Sequence, residues 1–250
     1  MKQSQAKKRD NAMTNKILMG LIALVLGLLF LEILIVHSKN EQQKNASNQV
    51  QTARIMANGD LLYHDGLYMS ALQSDGSYDF TENFTYVKPW LKQADLVLGD
   101  FEGTINPDYP LSGYPLFNAP QSVTAAIKDA GYDVMDLAHN HILDSGLEGA
   151  FTTADAFKKV GIDPVGVYEK PVRDKAPLLI KNVNGIKVAI LSYAYGYNGL
   201  ESNLTDKEVA DHLSNLDEKR MKAEIQRAEK EADITVIMPQ MGVEYRLEPT

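Results

Sequence analysis

Ile17 to Val36 reads ILMGLIALVLGLLFLEILIV, twenty residues carrying a single charge, Glu32. No other feature constrains the chain as strongly. About 20 apolar residues at ~1.5 Å rise per residue cross the ~30 Å hydrocarbon layer of a bilayer as one helix. A buried core helix would alternate apolar and polar faces, and this stretch has no such period. A cleaved signal peptide would have a shorter apolar core and a small-x-small site after it. The following IVHSKNEQ offers none. Lys2, Lys7, Lys8, Arg9 and Lys16 precede the stretch, and basic flanks stay on the cytoplasmic side. The expectation is a basic cytoplasmic tail over 1–16, a transmembrane signal anchor over 17–37, and everything later outside the cell membrane. Glu32 near the outer end reaches the interface or meets a partner helix.

Residues 38–51, SKNEQQKNASNQVQ, lack aromatic residues and read as a flexible linker. The remaining 52–250 is long enough for one sizeable domain. The chain has no cysteine, which excludes disulfides, thiolate metal sites, a thiol nucleophile and a lipidated N-terminal cysteine. A net charge of −8 argues against a nucleic-acid partner, because neutralising phosphates needs clustered Lys and Arg.

Within 52–250, apolar runs ending in turn residues alternate with helical stretches. Strands are predicted at ARIMANGD, DLVLGD, YDVMDLAHN, GIDPVGVY and DITVIMPQMGVEY. A helix or helix pair is predicted at TENFTYVKPWLKQA, and helices at SVTAAIKDAG, GLEGAFTTADAFKKVG and the long charged stretch TDKEVADHLSNLDEKRMKAEIQRAEKEA. A hairpin is predicted to turn at Asn184-Gly185. This alternation implies an α/β domain with a largely parallel sheet. Ligands in such sheets gather beyond the carboxyl ends of the strands. Asp60, Asp100 with Glu102, Asn140 with His141, and Gln240 with Glu244 all follow apolar runs, so one convergent polar site is expected there.

Plainer readings stand beside this one. Asp60 and Asp100 follow glycines and suit turns or helix N-caps. Asn140 and His141 suit a hydrogen-bonded loop, and Glu102 a local pair. His64 reads as a rim residue, His139 as a loop residue and His212 as solvated helix surface. Tyr193, Tyr195 and Tyr197 alternate along a strand and read as packing.

NGDLLYH, GDFEGTI, LAHNHILDSG and MPQMGVEY stand in the order and approximate spacing of the landmarks of one family. The chain resembles the CapA-type poly-γ-glutamate capsule biosynthesis proteins, from about Ala53 to the last residue. The resemblance implies a calcineurin-like metallophosphoesterase fold, a sandwich of two mixed sheets flanked by helices, incomplete at the C-terminus. It places Asp60 as the first-strand metal ligand and Asp100 as the bridging group, where relatives often have Asn. Glu102, Asn140 and His141 join the ligand set, while His141 and Asp144 take the catalytic positions. The metals such oxygen-rich ligation suits are Mn, Mg, Fe or Zn. The implied role is a component of polyglutamate or related exopolymer biosynthesis or export, beside membrane-bound synthase or export components. A cell-surface phosphoesterase unrelated to capsule is the alternative. Departures temper the enzyme reading: position 62 is Leu where catalytic relatives have His, and Gln240 stands where many have His. A later histidine motif would lie beyond Thr250, so the chain is expected to be a fragment, inactive by itself.

Overall fold

The computed structural model describes residues 19, 28–39, 50–243, 246 and 248. The chain divides into two compact units, 1–50 and 51–250. In the first, residues 28–39 are helical and exposed. Most of the expected tail, anchor and linker falls outside the described residues, and among those described no helix is long and apolar enough to cross a membrane.

The second unit holds two sheets. Strands β1 (Ile55–Asp60), β2 (Leu96–Asp100), β3 (Val134–Asp136) and β4 (Asp163–Val165) form one sheet in that order. All its pairs are parallel. Strands β5 (Leu179–Val183), β6 (Ile186–Ala194) and β7 (Ile234–Gln240) form the other. There β5 and β6 make an antiparallel hairpin and β7 runs parallel to β6. The expectation of two mixed sheets is corrected by half: only the second is mixed. The hairpin turns at Asn184 and Gly185, both with positive φ (54° and 89°), which a two-residue turn of this hand demands.

Alternation along the strands explains how the layers stack. Leu96 and Leu98 of β2 and Val134 of β3 face Val188 and Ile190 of β6, forming the layer between the sheets. On the outer face of the first sheet lie α3 (Ser122–Ala130) and α4 (Gly146–Lys159), which bury Val123, Ile127, Ala150 and Phe157. Gly131 closes α3 in the left-handed conformation, φ 116°. On the outer face of the second sheet lies α6 (Glu218–Glu231), where Ala228 meets Ala189, Leu191 and Tyr193. The result is helices, sheet, sheet, helix.

The helical expectations hold, the first as a pair of short turns and the last with a break. The TENF stretch is a 3₁₀ turn followed by the four-residue α2 (Lys88–Leu91), and the charged stretch breaks into α5 (Asp206–His212) and α6. A short helix that the sequence reading missed, α1 (Asp65–Ala71), follows β1.

Candidate metal and acid–base site

The strand ends are brought together by backbone bonds that continue the ladder past the last paired residues. Leu61 N–H donates to Asp100 O at 2.7 Å, Phe101 N–H to Asp136 O at 3.1 Å, and Glu102 N–H to Leu61 O at 3.3 Å. The pairing of β1 with β2 is not regular. Ala57 lies opposite Leu98 and Asp60 opposite Asp100, so three steps on β1 match two on β2. This bulge at Asn58–Gly59 changes which side chains share a face. Without it, period-two alternation would set Gly59 opposite Asp100 and turn Asp60 to the other side of the sheet. With it, Asp60, Asp100 and Asp136 stand side by side, since Asp100 pairs with Asp136 in register. They share the parity of Leu98 and Val134, and so occupy the open carboxyl end of the inter-sheet layer. Gly99 has to be glycine here: a Cβ would come within 2.7 Å of the Tyr132 ring.

Asp60, Asp100 and Glu102 each offer a carboxylate oxygen, and these oxygens lie within 4.8 Å of one another. Asp60 is exposed, while Asp100 and Glu102 are buried. Burial is the largest cause pushing the Asp100 carboxyl well above the usual range. Repulsion from Asp136, Asp60 and Glu102 adds to it. Asp136 is also pushed up by burial, relieved in part by hydrogen bonds from the Ser192 hydroxyl and the Ala138 N–H. Asp100 Oδ1 is buried without a hydrogen-bond partner among the described residues. An oxygen in that state is costly unless something positive meets it. The donor set is hard, all oxygen, with imidazole nearby, and it fits a divalent cation of the Mg, Mn, Fe or Zn type.

Beyond β3 the chain turns through His139, Asn140 and His141, all buried. His141 Nδ1 lies 2.7 Å from Asp144 Oδ2 and its Nε2 lies 3.9 Å from Glu102 Oε1. Asp144 Oδ2 also accepts from the Phe117 N–H at 2.6 Å. The carboxylate therefore assigns the proton to Nδ1 and leaves the Nε2 lone pair toward the acidic cluster. The Phe117 ring sits edge-on to the imidazole, with centroids 4.8 Å apart. His139 is buried away from the cluster, and burial followed by the neighbouring His141 lowers its pKa to about 3. It accepts the His141 N–H on Nδ1, a structural loop role.

Asn140 is held by Gln240 and Asn198. Its N–H donates to Gln240 Oε1 at 2.7 Å, its Oδ1 accepts from Gln240 Nε2 at 2.7 Å, and its Nδ2 donates to Asn198 Oδ1 at 3.0 Å. Gln240, at the end of β7, thus ties the second sheet to the loop after β3. Glu244 lies outside the described residues. His64 caps α1, its Nδ1 accepting from the Asp65 N–H at 2.8 Å, and stays at the rim. His212 departs from the solvated surface expected of it: its Nδ1 lies 2.6 Å from Tyr168 O and its ring packs edge-on to Phe151. Tyr193 and Tyr197 are buried, while Tyr195 is exposed. Asp136, Ser192 and Asn198 escaped the sequence reading. An acid inside the apolar run Val134-Met135-Asp136-Leu137 was the available signal for the first.

Residues 54–250 match the family model described as bacterial capsule synthesis protein PGA_cap. The chain is 31% identical over 176 residues to a capsule biosynthesis protein CapA of Bacillus anthracis, covering 67% of this chain and 42% of that protein. It is 26% identical over 245 residues to a PGA biosynthesis protein CapA of Bacillus subtilis, covering 97% of this chain and 62% of that one. It therefore spans about half the length of these curated relatives. A solved structure titled as a candidate 5′-nucleotidase from Staphylococcus aureus, in complex with α-ketoglutarate, superposes with a TM-score of 0.49 at 13% identity, covering 78% of this chain and 39% of that one.

Proposed function

Because the chain belongs to the bacterial capsule synthesis protein PGA_cap family, we propose that it is a membrane-anchored, extracytoplasmic component of poly-γ-glutamate capsule biosynthesis or export that works through one divalent cation. The observation that carries the cation is the convergence of Asp60, Asp100 and Glu102 within 4.8 Å around a buried carboxylate oxygen that has no partner among the described residues. The anchor rests on the apolar run 17–36 and its basic flank.

Asp60, Asp100 and Glu102 would hold the ion, with His141 Nε2 at the edge of the set. When bound, such an ion polarises a carbonyl or phosphoryl oxygen and lowers the pKa of a water. The chain's own residues set up the proton chemistry around it. Asp144 keeps the proton on His141 Nδ1, so Nε2 receives a proton from a group approaching the cluster and returns it to a leaving atom. The imidazolium formed in between is stabilised by Asp144 at 2.7 Å. Gln240 and Asn198 fix Asn140 and hold the loop that carries His141.

The test uses the full chain in detergent micelles after dialysis against chelator, titrated with Mn²⁺ by calorimetry. One equivalent is expected to bind, and Asp100→Asn is expected to weaken it by about 100-fold, since a charged, buried ligand is lost. In a capsule-forming strain that lacks its own copy, the wild-type chain within the full-length protein restores capsule, and Asp100→Asn and His141→Ala do not. Absence of any divalent binding, or normal capsule with both variants, overturns the proposal.

A further inference from the structure

Beside the acidic cluster lies a cleft of about 490 Å³ that the chemistry above does not use. Its outer wall is the segment from Tyr109 to Leu116, and Asp144 and Ser145 line it from the other side. That volume is within the ~300–1,000 Å³ range of small-molecule sites. The wall is preformed by one buried amide. Asn118 Nδ2 donates to the carbonyls of Asn106, Tyr109 and Pro110, and its Oδ1 accepts from Thr104 Oγ1 and the Asn106 N–H. A side chain with all its bonds made fixes the loop before any ligand arrives.

The polar groups of this cleft are mostly spent on the protein. Asn118 is saturated, Ser145 Oγ donates to Thr104 Oγ1, and Ser112 Oγ donates to Leu116 O. Asp144 is different. Its side chain is 1% exposed, and its Oδ2 accepts from both the Phe117 N–H and His141. Its Oδ1 is buried with no partner among the described residues. Such an oxygen calls for a donor. The cleft lining contains a second carboxylate, Asp65, and no Lys or Arg, so an anionic group is repelled and a cationic donor is favoured. A metal ion is a poor occupant, because the one carboxylate cluster of metal-binding geometry among the described residues is Asp60, Asp100 and Glu102. What remains is an organic cation with a carbon body, since Tyr114 and Leu116 at the mouth are exposed and apolar.

We propose that this cleft is a subsite for a primary ammonium group, which Asp144 receives on Oδ1 while Tyr114 and Leu116 cover the adjoining carbons. Joined to the function proposed above, on which this identification of the substrate rests, the occupant is the free amino end of a glutamate chain, set down beside His141. The carboxylates of such a chain are kept out of the cleft by Asp65 and Asp144 and are left to the side where a cation neutralises them. The cleft thus reads the direction of a polyamide by its one cationic end.

The experiment compares a γ-linked glutamate trimer carrying a free amine with its N-acetylated twin, titrated calorimetrically into the full chain in micelles, with Mn²⁺ affinity measured on the same samples. The free amine is expected to bind at least about tenfold more tightly, as one charge-assisted hydrogen bond implies. Asp144→Asn brings the two trimers within about twofold of each other, by loss of that charge. Asp65→Asn lowers the ratio by about threefold, a more exposed contribution, and leaves Mn²⁺ affinity unchanged. Equal binding of the two trimers, binding of neither, or an unchanged ratio in Asp144→Asn overturns the subsite. Amine discrimination without Mn²⁺ binding overturns the cation reading and leaves the subsite standing.

Discussion

Asp100 is where the cost of this site is concentrated. It is buried, faces three other carboxylates and has an oxygen with no hydrogen-bond partner among the described residues. Its folded-state pKa is raised, so the folded form holds its proton more tightly than the unfolded chain does. For an acid of that kind the stability contribution is fully present below the unfolded pKa near 3.8. It is lost as pH climbs through the raised folded value. Two outcomes follow for thermal unfolding of the full chain in chelator. The wild-type protein is more stable at pH 5 than at pH 8 by more than Asp100→Asn is, because Asn has no charge to lose. At pH 8 the variant is the more stable of the two by on the order of 1 kcal/mol, the worth of about one pKa unit. Adding Mn²⁺ at pH 8 reverses that order, since the wild type binds the ion about 100-fold more tightly than the variant. A variant less stable than wild type in chelator at pH 8 would contradict this account of the charge.

At the scale of elements, the pair of buried Arg173 with half-buried Glu224 decides how the segment before β5 is held to α6. Arg173 Nε and Nη2 donate to the two oxygens of Glu224 at 2.9 and 3.0 Å, and Nη1 donates to Leu213 O and Asn215 Oδ1. The guanidinium also lies 5.7 Å from the Tyr193 ring centroid, and Tyr193 Oη donates to Glu224 at 2.8 Å. Removing one partner leaves the other charge uncompensated, so Arg173→Met is expected to cost about 3 kcal/mol in urea unfolding, and Arg173→Met with Glu224→Leu to recover more than half of it. Additive losses in the double variant would show the pair to be two independent contacts. Legibility in the sequence follows the same scale. Strands that end in Gly-Asp, the helix closed by Gly131 and the Asn184-Gly185 turn were readable because each is decided within a few residues. Helix α1 was not, for seven residues carrying Gly66 and no apolar period give no pattern to detect. The site was readable as a set of strand ends, but its composition was not. Asp136 enters through register with Asp100, Ser192 through the stacking of two sheets, and Asn198 through a left-handed residue at φ 55°. Gln240, a hundred positions away, donates to the Oδ1 of Asn140. None of these pairings leaves a local trace.

On the proposed function, the question for the whole molecule is how a chain of net negative charge would work on a polyanion at a membrane. Free in solution it would be repelled by its polymer, with a chain total of −8. On that reading contact would be local, at the proposed cation and ammonium subsites, and would be kept at the surface where polymer emerges. The proposed tether would supply that by effective concentration rather than by affinity, in the millimolar range for a short flexible linker. Residues 38–51 have the polar composition of such a linker. The full chain, expressed in a Gram-positive host, is expected to stay with membranes after alkaline carbonate washing. Protease added to intact protoplasts should cut within 38–51 and spare the tail 1–16 inside. Replacing Ile17–Val36 by a cleavable signal peptide should release the remainder to the medium and lower surface polymer by about tenfold or more, because the tether's local concentration is lost while every residue of the site is kept. If the released form supports capsule as well as the tethered one, the polymer is found by affinity alone, and the argument from charge repulsion fails with it.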